Sequence, residues 1–101
     1  MPKDIEHVIA DGKNAARLLE DEVFKAACKA AQQTAIEEWK RTHSGEVALR
    51  EAAYFTVMAL DRIERELLTI KYDGTQAQAG LEKLKQQEIA RRPVGRATRN
   101  N

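Results

Sequence analysis

One seam of side chains restricts this chain more than any other feature. Leu49, Ala53, Thr56, Leu60, Ile63, Leu67 and Ile70 follow one another at intervals of 4, 3, 4, 3, 4 and 3. A 3–4 alternation keeps every member on one side of an α-helix. It is also the spacing with which helices wind against one another. Ala52, Phe55 and Ala59 add a second apolar row, and Tyr54, Val57 and Met58 widen the middle. The pattern predicts a long helix over residues 45–72. Asp73-Gly74 should end it, because glycine just past a periodic run is the usual C′ residue.

A second helix is predicted from Asp21 to about Arg41. Asp21 is a natural N-cap, and Glu20 and Glu22 complement the start of the helix dipole. Phe24, Cys28, Ala31, Ala35 and Trp39 form its apolar stripe. Thr42-His43-Ser44-Gly45 is a tight connection, with Ser44 as the expected cap of the long helix. So short a link makes the two helices antiparallel neighbours. A short helix is predicted over residues 5–19, with a break near Asp11-Gly12 because glycine weakens a helix by about 1 kcal/mol. After Gly74, Thr75 and Gln78 fit a T-x-x-Q capping box. They predict a weaker C-terminal helix to about Arg91, carrying Leu81, Leu84 and Ile89. The expected fold is therefore all-α: an antiparallel helical hairpin with a short N-terminal helix and a weaker C-terminal one. Residues 1–91 should form the domain and residues 92–101 a basic, flexible tail.

The arms of that hairpin are unequal. About 21 residues give roughly 32 Å and about 28 give roughly 42 Å at the α-helical rise. The far end of the long arm, with Leu67, Leu68 and Ile70, then needs cover. Either the first helix folds back over it or another molecule does. A chain of 101 residues in which much of the 43% apolar content is alanine has a thin core. Thin cores gain stability from oligomerisation, metals or disulfides. Cys28 is the single cysteine, which excludes an internal disulfide and points to a reducing compartment. His7 and His43 lie far apart in sequence, and no second cysteine joins them, so no metal or other cofactor is expected.

Catalytic patterns are missing from the sequence. It carries no phosphate-binding glycine loop and no nucleophile motif. The Glu-x-x-His signature of carboxylate-bridged metal bundles is absent. Glu37 and Glu38, and the acids around Asp61 and Glu64, read as solvated helix faces. Cys28 on an apolar stripe reads as a small core hydrophobe, and Trp39 as a core anchor. The expectation is a non-enzymatic protein.

Charge is unevenly distributed. The segment from Lys83 onward carries +5 and residues 1–82 carry −4, for a formal net charge of +1. Arg91, Arg92, Arg96 and Arg99 could neutralise phosphates or an acidic protein patch, or simply keep the tail in solution. The tail has no aromatic residue, so it offers no platform for base stacking.

Several stretches together resemble a known group. They are Leu18-Leu19-Glu20-Asp21-Glu22-Val23-Phe24, Glu38-Trp39-Lys40-Arg41-Thr42, Arg50-Glu51, Ala59-Leu60-Asp61-Arg62-Ile63, Leu67 and Asp73-Gly74. They resemble short helical proteins encoded among the head and packaging genes of tailed bacteriophages. The resemblance spans Leu18 to Gly74 and consists of caps and core positions. It implies a phage origin, a place in the host cytoplasm or the virion, and a structural or assembly role. It supplies no active-site residues.

The sequence thus predicts an interaction protein that self-associates or docks on a larger assembly. Its candidate contact residues are Leu60, Ile63, Leu67, Leu68 and Ile70, and its partners are a second copy or other phage components. The alternatives are a nucleic-acid-associated packaging or regulatory factor using the basic tail, and a small phage inhibitor of a host defence protein.

Overall fold

The chain turns back on itself once and is otherwise helical. A computed structural model describes residues 4–91, which hold three α-helices: α1 (Ile5–Glu20), α2 (Glu22–Lys40) and α3 (Val47–Arg91). No strand occurs among the described residues.

α1 and α2 are separated by one residue. Asp21 adopts an extended backbone, with φ −71° and ψ 125°. It caps both helices. Its N–H donates to the Leu18 carbonyl at 3.2 Å, its carbonyl accepts from Lys25 N at 2.9 Å, and its carboxylate accepts from Phe24 N at 2.7 Å. One side chain and one peptide unit thus satisfy donors and acceptors that two helix ends leave open. At the start of α1, Asp4 plays the same part, accepting from His7 N at 2.9 Å. That backbone N–H is the chief reason the Asp4 carboxyl titrates below its ordinary value.

The link from α2 to α3 is capped differently from the expectation. Ser44 lies in the turn, and α3 starts at Val47. Glu46 is the capping residue. Its carbonyl accepts from Arg50 N at 3.1 Å, and its carboxylate reaches back to His43 N at 2.7 Å. Arg50 donates to Thr42 Oγ1 at 2.8 Å and lies 4.4 Å above the Trp39 ring. Trp39 remains 43% exposed, so it is a stacking platform for Arg50 rather than a core anchor.

α3 runs antiparallel to both shorter helices. Trp39 and Thr42, at the end of α2, meet Arg50 near the start of α3. Phe24 and Cys28, near the start of α2, share a groove with Leu60 and Asp61. Leu19 also borders that groove, while Gly12 touches Gly74. α2 and α1 thus lie end to end along α3, with little contact between them beyond their junction. The result is a slab two helices thick, measuring 87 × 29 × 17 Å. Its radius of gyration is 23.5 Å, against about 13 Å for a compact chain of this length.

Two expected helix breaks are absent, for one reason. α1 passes through Gly12 and α3 passes through Gly74 without interruption. Both glycines are buried and packed on each other. A Cβ on Gly12 would come within 2.7 Å of the Gly74 Cα, and the converse holds at the same distance. Bare backbone on both sides allows α1 and α3 to cross closely, so these glycines are packing residues. The separate C-terminal helix is therefore corrected to the second half of α3. The supposed capping threonine confirms the reassignment: Thr75 Oγ1 donates back to the Lys71 carbonyl at 3.1 Å. That bond to residue i−4 is what a threonine inside a helix makes.

Candidate interaction face

Unbroken, α3 continues its heptad seam beyond the expected end. Gly74, Ala77, Leu81 and Leu84 extend the alternation that begins at Leu49. The fold splits this seam into two rows. Ala53, Leu60, Leu67, Gly74 and Leu81, seven residues apart, are all buried or half-buried against α1 and α2. Leu49, Thr56, Ile63, Ile70, Ala77 and Leu84 form the other row. All but Ala77 are exposed, Leu49 at 58% and Ile63 at 50%. One helix thus carries two parallel contact rows, and the described part of the chain covers one of them.

The open row borders an apolar side of the slab. Glu38 of α2 and Arg41, Thr42 and Glu46 of the following link line a groove with Leu49, Ala52, Ala53 and Thr56. Helical spacing carries this side of α2 back from Glu38 through Thr34, Ala31 and Ala27 to Val23. All four are exposed, Val23 at 78%. The opposite side is charged. There Lys25, Lys29 and Gln32 border a groove with Asp61 and Glu64, and Lys13 and Lys71 border another whose lining is mostly Ile9, Gly12, Ala16, Gly74 and Ala79. Asp61 also pairs with Arg65 at 2.5 Å. Apolar side chains stand exposed on this flank too, Leu68 at 50% and Tyr72 at 62%.

The expected contact residues divide between these environments. Leu60 and Leu67 turn inward, into the packing of α3 against the shorter helices. Ile63 and Ile70 stand on the open row. Leu68 lies on the charged flank, in helical line with Asp61, Arg65 and Tyr72. α1 therefore folds back along the far end of α3, as one of the two expected covers required, but it shields Leu67 and leaves Ile70 and Leu68 exposed. Arg91 is exposed in the last turn of α3. Arg92, Arg96 and Arg99 lie outside the described residues.

Only alanines make up the fully buried apolar core among the described residues: Ala15, Ala35 and Ala53. Small side chains let helices approach closely but bring little burial free energy, at about 25 cal/mol per Å² of apolar surface. Among the described residues, no three His, Cys, Asp or Glu side chains converge on a point where a metal ion could bind. Cys28 is half-buried and lines a groove with Phe24, Leu60, Lys25 and Lys29. No described helix is long and apolar enough to cross a membrane.

The sequence names Ile63 and Ile70 as contact candidates but does not separate the open row from the inner one within the seam. The signal that separates the rows is the seven-residue repeat taken by itself, followed through Gly74 to Leu84. Comparison with protein families, with curated proteins and with solved structures gives no match to this chain.

Proposed function

We propose that this protein is a non-enzymatic helical assembly module whose open apolar face docks on another protein. The observation that carries the reading is the exposed row from Leu49 to Leu84 on a helix whose neighbouring row is already packed. A helical hairpin of this kind presents a rigid strip of about 50 Å between Leu49 and Leu84 at the α-helical rise. That strip is the groove-or-helix type of surface that helical partners recognise. The resemblance of Leu18–Gly74 to short proteins of tailed-phage head and packaging clusters favours an assembly role in a phage particle or its precursor.

The test uses the full chain and an Ile63→Asp variant. Size exclusion with light scattering across a concentration series reads self-association, and affinity capture from phage-infected cells reads other partners. The expected result is an assembly or partner that Ile63→Asp removes while circular dichroism stays helical. A monomer at all concentrations with no partner sensitive to Ile63→Asp would overturn the reading.

The uneven charge favours a second reading, in which the basic end of the chain contacts nucleic acid. A chain ending at residue 91 should then bind duplex DNA more weakly than the full chain, with a shallower salt dependence. Unchanged binding would end this reading.

A further inference from the structure

The two shorter helices are held on α3 with unequal tightness. Seven of the sixteen residues of α1 are at least half-buried, against five of the nineteen of α2. α1 also makes the denser contact with α3. Its Gly12 meets Gly74 so closely that a Cβ on either would lie 2.7 Å from the other's Cα. Ala35 is the one buried residue of α2. Two grooves open along its seam with α3, one of about 280 Å³ beside Phe24 and Cys28 and one of about 320 Å³ beside Glu38 and Leu49. Segments with few buried contacts are the ones that open locally.

We infer that α2 is a hinged arm: it swings off α3 about Asp21 while α1 stays clamped, and Arg50 is the latch that holds it down. The motion requires no partner and is independent of the assembly reading above.

Three features permit the swing. The hinge is a single residue. Asp21 is exposed and extended between two helices, and its bonds to Leu18, Phe24 and Lys25 stay within the helix ends it joins. The far end has slack. Residues 41–46 link α2 to α3, and a link of that length extends to about 20 Å, roughly twice the distance between packed helix axes. The arm can also leave as a helix. Ala26, Ala27, Ala30, Ala31 and Ala35 lie among Lys, Gln and Glu, the residue types that best hold a helix without tertiary support.

The latch sits at the end of α2 farthest from the hinge. Arg50, in the first turn of α3, donates to Thr42 Oγ1 at 2.8 Å and lies 4.4 Å above the Trp39 ring. Thr42 Oγ1 in turn donates to the Trp39 carbonyl at 2.7 Å. One guanidinium thus holds a ring and a hydroxyl at the free end of the arm. Side-chain rotation undoes this tie, whereas the glycine crossing of α1 is backbone against backbone. Released, the arm uncovers Ala53 and Leu60 beside Leu49, Thr56 and Ile63, and the first half of both rows becomes one apolar surface.

Hydrogen exchange of the full chain, followed by mass spectrometry, tests the arm. Residues 24–37 should exchange at least about tenfold faster than residues 8–19 and with little dependence on urea, as a local opening does. In Arg50→Ala, exchange over residues 24–37 should rise by roughly tenfold, from the loss of a cation–π contact and a hydrogen bond. Alkylation of Cys28 by iodoacetamide should rise with it, and α1 should stay unchanged. Trp39→Leu should move both readouts in the same direction and by less. Equal protection of α1 and α2 with equal urea dependence would mean one cooperative unit and overturns the arm. A rise in α1 as large as that in α2 when Arg50 is removed overturns it too. So does faster exchange confined to residues 37–42, which is fraying of the last turn.

Discussion

The two rows of α3 are built from similar residues and placed seven apart in the same way, yet they meet different fates. The inner row, Ala53 to Leu81, contains the smallest side chains at the points of closest helix approach, and α1 and α2 lie on it. The outer row, Leu49 to Leu84, has larger side chains beside an alanine strip and no described helix over it. The contrast teaches that heptad spacing specifies that a helix has partners, while side-chain size along each row specifies which partner comes close. Glycine facing glycine selects the chain's own α1. An open leucine–isoleucine row flanked by alanine stays exposed.

The sharpest way to break the contrast is to enlarge the inner row at the crossing. Gly74→Ala should gain about 1 kcal/mol in helix propensity, but its Cβ would press on backbone at 2.7 Å, where nothing can rotate aside. Overpacking of this kind costs about 1–3 kcal/mol or more. Gly74→Leu should therefore detach α1, and Gly74→Ala should still be a net loss, both read by urea denaturation. A more stable Gly74→Ala protein would contradict the close crossing.

A matched pair sharpens the comparison further. Leu60→Ala removes a half-buried inner side chain and should cost about 2 kcal/mol, at the low end for such truncations. Its loss should be the same at every protein concentration. Ile63→Ala, three residues on, should show a loss that shrinks on dilution, because it acts on association rather than on the fold. Equal, concentration-independent losses would erase the distinction between the rows.

Smaller effects concern the ends that hold the rows in place. Asp21→Ala should cost about 1 kcal/mol as a lost N-cap, visible as faster amide exchange in the first turn of α2. Trp39→Leu removes the ring beneath Arg50 and should cost about 0.5–1 kcal/mol, measured by thermal melting. The smallest effect is that of pH at Asp4, whose folded pKa is depressed by the His7 N–H. A depressed carboxylate contributes stability above its unfolded pKa of about 3.8, and that contribution is lost as pH falls through the folded value. Fraying at Ile5–Val8 should therefore appear only in acid, and Asp4→Asn should abolish its pH dependence.

Much of this architecture was legible locally. Asp21 as a cap, the end of α2 and the seam of α3 each follow from a few adjacent residues. The same local logic misplaced Gly12 and Gly74. Each reads alone as a helix breaker, and only their contact across more than sixty positions turns both into packing residues. Ser44 was the better cap by residue type, but Glu46 reaches His43 N and sets the start of α3 two residues later. The open row depended on the same point. Once α3 was expected to stop at Gly74, the continuation through Ala77, Leu81 and Leu84 could not be seen as one repeat.

Sedimentation equilibrium of the full chain beside Ile63→Asp tests the central claim most directly. The account predicts a wild-type mass above 11.4 kDa, alone or with a captured partner, and a helical monomer for the variant. A wild-type monomer at every concentration, with no partner that Ile63→Asp releases, would contradict it.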